Sequence, residues 1–307
     1  MSKQKIAVIG SSNMDLIMQI DRLPGPGETV TGGIFSSAYG GKGANQAVGA
    51  VKAGGEVVFI SCLGNDAFTK DLMSHFNSVG LDTRFVFQDS ESATGTALIM
   101  VDRNGENCIS VAPGANYKLT KSHIDRAFPA LESDFLLLFQ CELHPDTLFY
   151  ALDLAIRAGL KVVLNLAPAI ALPDQYLKDL YLLVLNESEA SALSGLSVKN
   201  LMEAQQAAYL LRDRGCSGVI VTMGANGTFV SFENIREWVP AFKIDAIDTT
   251  AAGDIFCGCL VTALTEGLPI LEAIRFANAG AAISATRLGA QPSAPTREEI
   301  DAFLESN

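Results

Sequence analysis

Residues 45–64 read NQAVGAVKAGGEVVFISCLG, and this stretch holds both kinds of element that the chain repeats. Its first half places apolar residues at helical spacing. Its second half is a continuous run of apolar and β-branched residues, which is typical of a strand buried on both faces. A helix next to such a strand is one unit of an α/β fold with a parallel sheet.

The same alternation continues along the chain. Further apolar runs are KIAVIG, FLLLFQ, KVVLNLA, LYLLVLN, GVIVTMG and GTFVSF, and helical segments such as DTLFYALDLAIRAG and LMEAQQAAYLLRDRG separate most of them. Repeated units of this kind predict a doubly wound α/β fold, with a mainly parallel sheet covered by helices on both faces. At the end of the chain, Thr296 and Glu299 predict a capped terminal helix.

Composition narrows the class of protein. The 307 residues are 49% hydrophobic and 18% charged, which is enough apolar material for a large core. The net charge of −12 argues against nucleic acid or an anionic membrane as a partner, although a local basic pocket for phosphate remains open. The six cysteines are scattered without a CxxC pair, and three histidines lack zinc-ligand spacing, so we expect reduced thiols in a cytoplasmic protein.

Two stretches interrupt the alternation, residues 13–40 and residues 94–112. In the first, residues 29–39 look extended, and the second predicts a hairpin that turns at residues 102–105. We expect them to form a small β-sheet lid inserted into a main domain of residues 1–12, 41–93 and 113–307. The hairpin strand TALIMV is apolar on both faces. Either its second face meets the lid of another copy in a homodimer, or the strand packs deeper within its own chain.

A glycine-rich motif, GGKGANQ at residues 40–46, follows the first of these stretches and opens a helix. Three glycines in four residues let the backbone approach a ligand closely. The motif is not a P-loop, because Lys42 is followed by Gly43 rather than by Ser or Thr. It is also not a dinucleotide fingerprint, which would directly follow the first strand. A tight turn before a helix remains an equally good interpretation of the motif alone.

Polar residues follow several predicted strands at their carboxyl ends, the edge at which open α/β sheets bind ligands. Each has an ordinary explanation when taken alone, because Asn and Asp are common in turns and an Asn with Glu three residues later is typical of a helix start. Their shared position predicts one composite ligand site. The residues at this edge are Asn13, Asp15, Glu142, Asn186, Glu189 and residues 222–227.

The stretch DTTAAGDIF, residues 248–256, precedes an apolar segment with helical spacing. A helix that begins near Gly253 would present free N–H groups of small residues at its positive end, where a phosphate binds. Asp254 in the first turn would then stand beside an anion site. A carboxylate that accepts a proton next to N–H groups that stabilise a phosphate is the arrangement that phosphoryl transfer to a hydroxyl requires.

With these motifs the chain resembles the ribokinase-like carbohydrate kinase family over essentially its whole length. The matching segments are residues 40–47, Asn165 with residues 167–169, Asn186 with Glu189, residues 222–227, residues 248–254 and residues 286–293. GGKGANQA and DTTAAGD in this order are highly specific as a pair. Ile255 is a departure, since the family most often has Thr after the acidic residue.

The resemblance implies the catalytic and substrate residues. It implies Asp254 as the base that deprotonates the sugar 5-hydroxyl, and Ala251, Ala252 and Gly253 as an anion hole. The implied sugar-binding residues are Asn13, Asp15, Gly41, Lys42, Asn45, Glu142 and Asp254. The implied nucleotide-binding residues are Asn186, Thr222, Gly224, Asn226, Gly227, Gly253 and Asn278.

The resemblance also implies two metal ions and an assembly. Glu189 is implied to organise Mg²⁺ through water. A monovalent cation, K⁺, is implied to bind mostly through backbone carbonyls, at Asp248, Thr250, Ser284, Arg287, Gly289 and Ser293. The family's lid clasps that of a partner, which implies a homodimer.

The function implied is transfer of phosphate from ATP to O5 of D-ribose, giving ribose 5-phosphate and ADP. One alternative is a kinase for another small sugar or a nucleoside, such as deoxyribose. A different class is a non-catalytic sugar-binding regulatory protein, against which the intact Asp254 and Glu189 argue. A nicotinamide-dependent oxidoreductase would need the missing dinucleotide fingerprint.

Overall fold

The computed structural model describes residues 4–307, which contain thirteen strands, ten α-helices and four short 3₁₀ helices. Residues 1–3, which open the expected main domain, lie outside the described residues. The strands are β1 (Lys5–Ile9), β2 (Asn13–Ile20), β3 (Ile34–Gly40), β4 (Val57–Leu63), β5 (Asp82–Gln88), β6 (Gly95–Asp102), β7 (Asn107–Ala112), β8 (Phe135–Phe139), β9 (Lys161–Asn165), β10 (Leu182–Leu185), β11 (Gly218–Thr222), β12 (Thr228–Phe232) and β13 (Ile235–Val239). The helices are α1 (Lys42–Lys52), α2 (Ala67–Ser78), α3 (Lys121–Ala127), α4 (Pro145–Arg157), α5 (Asp174–Leu177), α6 (Glu187–Ser194), α7 (Leu201–Asp213), α8 (Ala252–Thr265), α9 (Ile270–Ala285) and α10 (Arg297–Ser306).

The larger sheet has nine strands in the order β13-β12-β11-β10-β9-β8-β1-β4-β5. Every pair is parallel except β11 with β12 and β12 with β13. Alternate residues of β1 enter two different cores, Ala7 and Ile9 on one face and Ile6 and Val8 on the other. A strand between two helical layers needs apolar residues at every position, which explains its continuous apolar sequence. The doubly wound fold is confirmed.

The smaller sheet has four strands in the order β3-β2-β6-β7. The predicted hairpin is present as β6 and β7, with the Gly105 N–H donating to the Asp102 carbonyl at 2.9 Å. The strand expected from residue 29 begins only at Ile34, because Gly32 has a φ of +91°, outside extended backbone. Leu98 is 55% exposed. The alternative that this strand packs deeper in its own chain therefore does not hold for Leu98.

The fold brings the predicted site residues to one edge of the larger sheet. Strand β1 leads to Asn13, β8 leads to Glu142, and β10 ends just before Asn186. Helix α8 packs against α1 and α9 beside this edge. The capped terminal helix is present as α10, with the Thr296 side chain accepting from the Glu299 N–H. Among residues 4–307 we find no helix with the length and apolar character to cross a membrane.

Candidate active site

Helix α8 begins at Ala252, one residue before the expected start. Ala251 has a φ of +59°, a left-handed conformation that is uncommon for a residue with a side chain. The Ala252 N–H donates to the Thr249 carbonyl at 3.2 Å, so one of the three expected anion-hole donors is engaged inside its own loop. Ala251 and Gly253 line the adjoining cavity. In this structure the loop therefore offers at most two of the three N–H donors that the sequence predicts for an anion site.

The carboxylate of Asp254 is held from both sides. Asn45 Nδ2 donates to Asp254 Oδ2 at 3.0 Å, and Gln46 Nε2 donates to Asp254 Oδ1 at 3.0 Å. Asp254 is only 6% exposed, and what remains accessible faces a cavity of about 200 Å³. A buried carboxylate that keeps access to a cavity has the geometry of a base for a bound hydroxyl.

Lys42 supplies a positive charge in the same cavity. Its side chain lines the cavity together with Gly253 and Glu189. The charge of Asp254, followed by those of Glu142 and Glu189, raises the pKa of Lys42 against the opposing effect of burial. A lysine that remains protonated here can form a charge-assisted hydrogen bond with an anionic phosphoryl group.

The residues implied to bind the sugar include acidic and amide groups. Asn13 Oδ1 accepts from Asn116 Nδ2 at 2.7 Å, and Glu142 Oε2 accepts from the Lys42 N–H at 3.0 Å. Burial, with Glu142 and Asp254 nearby, raises the pKa of Asp15 to about 6. Gly40 is required next to it, because a Cβ there would overlap the Asp15 carboxylate. These groups are suited to binding hydroxyls.

The start of helix α6 is a reciprocal cap, as predicted. Asn186 Oδ1 accepts from the Glu189 N–H at 2.9 Å, and Glu189 Oε2 accepts from the Asn186 N–H at 2.9 Å. Glu189 is 6% exposed, and its burial raises the pKa of its carboxyl group. Both residues line the cavity that contains Asp254. The Glu189 carboxylate is therefore held in the cavity that is also lined by the anion loop, which we define as residues 248–254.

A second, larger cavity of about 670 Å³ adjoins the first, and Asn186, Thr222 and Gly253 line both. Gly224 and Asn278, which the resemblance implies as nucleotide-binding residues, also line it. Asn226 and Gly227 are not among its lining residues. Asn226 is exposed, and Gly227 is buried in the turn, where a Cβ would overlap the Val239 carbonyl. Asn278 Oδ1 accepts from Thr228 Oγ1 at 2.9 Å, which fixes its amide.

Comparison with known proteins identifies the family. A family model described as pfkB family carbohydrate kinase matches residues 3–297. The chain belongs to this family. It is 42% identical over 303 residues to the ribokinase of Haemophilus influenzae, with 99% of each chain covered. It is 35% identical over 303 residues to the deoxyribokinase of Salmonella typhimurium, covering 98% of this chain and 99% of the relative.

The structure agrees with this assignment. The solved structure of Arabidopsis thaliana ribokinase complexed with ribose and ATP matches with a TM-score of 0.90 at 28% identity, covering 98% of this chain and 99% of that one. Together with the family match, this makes the chain a sugar kinase of the pfkB family. The oxidoreductase alternative is set aside.

In this pfkB kinase, Asp248 connects the anion loop, to which it belongs, with the loop that follows α9. Asp248 Oδ1 accepts from the Thr250 N–H and Oδ2 accepts from the Gly289 N–H, both at 2.9 Å. Burial by itself would raise the pKa of Asp248, but the hydrogen bonds together have the larger effect, and the pKa is lowered. Ser284 Oγ, near the end of α9, lies 2.6 Å from Ser293 Oγ in the segment that follows this helix. The side chain of Arg287 points elsewhere, to an ion pair with Glu299 at 2.6 Å.

Several residues of the kinase site were missed by sequence reasoning. Gln46 and Asn165 contact the Asp254 cluster, although the sequence analysis used them only as parts of motifs. Gln291 Nε2 donates to Asn45 Oδ1 at 3.1 Å, and Asn116 supports Asn13. The signal that could have found Gln46 is its place beside Asn45 in the motif. Ile255, the departure from the family, is fully buried against Gly49 and does not enter the cavity.

Proposed function

We propose that the chain transfers the terminal phosphoryl group of ATP to O5 of D-ribose, giving D-ribose 5-phosphate and ADP. The observation that carries this proposal is the position of Asp254. Its buried carboxylate lines a small cavity together with Lys42, and this cavity shares Gly253 with the larger one. Asn45, an implied sugar-binding residue, donates to the same carboxylate. The full-length similarity to the Haemophilus influenzae ribokinase supports ribose as the acceptor.

In the proposed reaction, Asp254 accepts the proton of the 5-hydroxyl while O5 attacks the terminal phosphorus. The O5–P bond forms, the bond from that phosphorus to the bridging oxygen breaks, and ADP leaves. The N–H groups of Ala251 and Gly253 and the ammonium of Lys42 stabilise the phosphoryl charge. Ala252 can join them only if its bond to the Thr249 carbonyl opens.

The sugar is proposed to bind between the lid and the main domain, the division expected at residues 13–40 and 94–112. Asn13, Asp15 and Glu142 would take the sugar hydroxyls. Gly41, Lys42 and Asn45 would complete the pocket, and the positive φ of +87° at Gly41 lets the backbone turn beside Asn13. The nucleotide would occupy the larger cavity, next to Asn186, Thr222, Gly224 and Asn278.

Mg²⁺ fits the proposed site at Glu189. Mg²⁺ prefers to keep several waters and to take few protein carboxylates, with phosphates completing its shell. Both oxygens of Glu189 already accept hydrogen bonds from Asn186, so an ion held through water suits this carboxylate. When bound, Mg²⁺ neutralises charge on the phosphates. Glu189 would hold its water shell in place.

A K⁺ ion is proposed at the two loops joined by Asp248. The carbonyls near Thr250, Ser284, Arg287, Gly289 and Ser293 would coordinate it. Its support is the closeness of these loops, since Asp248 bonds to the backbone of both. An ion there would hold the anion loop rigid before the reaction.

A homodimer through the lid belongs to the same proposal. Leu98 and Met18 lie on one face of the small sheet and Ile109 and Val111 on the other, all substantially exposed. A second lid would cover such apolar surface. The cytoplasmic location stays a prediction.

A kinase for 2-deoxyribose is the second candidate, because the Salmonella typhimurium deoxyribokinase is 35% identical over 303 residues. ADP release with ATP and a panel of ribose, 2-deoxyribose and nucleosides, in potassium and in choline salts, tests both. Ribose should give the highest kcat/KM. A higher value for 2-deoxyribose would favour the second candidate, and no turnover with any acceptor would leave only a non-catalytic binding protein.

A further inference from the structure

Gln46 contacts the base but not the cavities. Its Nε2 donates to Asp254 Oδ1 at 3.0 Å, yet Gln46 is 0% exposed and lines neither cavity. Asn45, its neighbour in α1, bonds to the other oxygen of the same carboxylate at 3.0 Å. In the proposed function Asn45 binds the sugar, whereas Gln46 binds no substrate. Through its Nε2, Gln46 bonds to two residues that line the cavity, Asn165 and Asp254, and Asp254 is the one with a proposed role in proton transfer.

The orientation of the Gln46 amide is fixed by groups of known polarity. The Val184 carbonyl can only accept, so the Asn165 group that bonds to it at 3.3 Å is the NH₂. Asn165 Oδ1 then faces Gln46 and accepts from its Nε2 at 3.0 Å. On the other side, Gln46 Oε1 accepts from Gln140 Nε2 at 2.6 Å. A reversed Gln46 amide would set its oxygen against two acceptors and its NH₂ against another NH₂.

The surrounding backbone makes room for this arrangement. A Cβ at Gly10 would overlap the Gln140 amide, and a Cβ at Gly43 would overlap the backbone of Gly10. Gln46, Gln140 and Asn165 come from α1, the residue after β8, and β9, and all three are buried. Buried amides are costly unless they are paired, which favours the arrangement in which the Gln46 NH₂ meets two acceptors. In this arrangement Gln140 Oε1 has no hydrogen-bond partner among the described residues.

We propose that Gln46 is a positioning residue for Asp254. The last torsion of an aspartate is soft, and a carboxylate held at only one oxygen can turn. With Asn45 on Oδ2 and Gln46 on Oδ1, the carboxylate plane is fixed and its remaining lone pairs face the cavity. The inference rests on the proposed role of Asp254 as the base. It adds that the NH₂ group of Gln46, oriented by Asn165 and Gln140, holds the Asp254 carboxylate facing the sugar 5-hydroxyl.

The competing interpretation is that Gln46 merely joins α1 to α8. Thr262 offers a matched control for this role. It is fully buried in α8, and its Oγ1 shares one proton between the Gly258 carbonyl of α8 at 2.9 Å and the Ala50 carbonyl of α1 at 3.2 Å. It lines neither cavity. Thr262→Val removes a buried link between the same two helices without touching Asp254.

The first experiment compares Gln46→Met with Thr262→Val. Methionine keeps the unbranched shape of glutamine and removes its donor. Gln46→Met should lower kcat by about 10- to 100-fold, since small misplacement of a reacting group has effects of this size. The dissociation constants of ribose and of ATP, measured by calorimetric titration, should change by less than about threefold, because Gln46 touches neither ligand. Thr262→Val should lower the melting temperature and leave kcat unchanged.

The second experiment is a double-mutant cycle with Asp254→Ala. If Gln46 acts through Asp254, adding Gln46→Met to Asp254→Ala should not reduce the residual kcat further. An equal loss in both backgrounds would show a purely structural role. A wild-type kcat in Gln46→Met would also overturn the inference. If that variant does not fold, Gln140→Met frees the same amide, and an unchanged kcat there would overturn it as well. If the wild-type protein phosphorylated no sugar, the proposed function would be refuted instead of this inference.

Discussion

Replacing Asp254 by Asn gives the most direct test of the proposed chemistry. The substitution keeps the size of the side chain and removes the proton acceptor. Loss of a general base typically lowers the rate by about 10²- to 10⁴-fold. The N–H groups of Ala251 and Gly253 and the charge of Lys42 remain, so activity above the uncatalysed rate should survive.

The structure adds a cost in stability to this substitution. Both oxygens of Asp254 accept from NH₂ groups, those of Asn45 and Gln46. An asparagine turned either way places its own NH₂ against one of them. One hydrogen bond to a charged group is thereby lost, which costs about 1.5–3 kcal/mol of unfolding free energy. The melting temperature should therefore fall by several degrees, although the variant still folds.

The assay measures ADP release at saturating ribose and MgATP, with both dissociation constants determined separately. Asp248→Asn is the control, because Asp248 joins two loops and contacts no part of the cavity that contains Asp254. Its defect should diminish as potassium is raised, whereas the defect of Asp254→Asn should not. If Asp254→Asn retained more than about a tenth of the wild-type kcat, Asp254 would not be the base.

Four further predictions concern the ions, the sugar and the assembly. Potassium should activate the wild-type enzyme more than sodium, since the proposed ion holds the anion loop, and equal rates in matched potassium, sodium and choline salts would refute this. Asp15→Ala should narrow the preference for ribose over 2-deoxyribose in kcat/KM, because an acceptor left unpaired costs about 1–3 kcal/mol, and an unchanged ratio would show that Asp15 does not contact the sugar. Because the pKa of Asp15 is raised to about 6, its carboxyl takes up a proton as the pH falls through that value, and the KM for ribose should rise between about pH 7 and pH 5 in the wild type but not in Asp15→Asn. Met100→Glu should shift a lid dimer toward monomer by placing a charge in the contact, whereas light scattering that finds wild-type monomer at micromolar concentration would contradict the dimer.

Features that depend on neighbours in the chain were predictable from the sequence. Continuous apolar runs identified the inner strands, because a strand covered on both faces has no position for a polar residue. The caps at Asn186 with Glu189 and at Thr296 with Glu299 were predictable because a cap joins residues three apart. The edge strands β5 and β13 lacked this signal, since each is partly exposed and mixes polar with apolar residues.

The position of the site was also predictable, since the carboxyl ends of parallel strands meet at one edge and the two motifs identify the kinase family. The partners of Asp254 required the tertiary structure. Gln46 lies 208 positions away from it, and Asn165 lies 119 positions from Gln46. A buried amide has no periodic pattern in the sequence, and its bonding direction depends on which groups surround it. For the same reason, only the folded loop shows that the Ala252 N–H is taken by the Thr249 carbonyl. The sequence therefore determined which acid is the candidate base, and packing between distant segments decided how that acid is held.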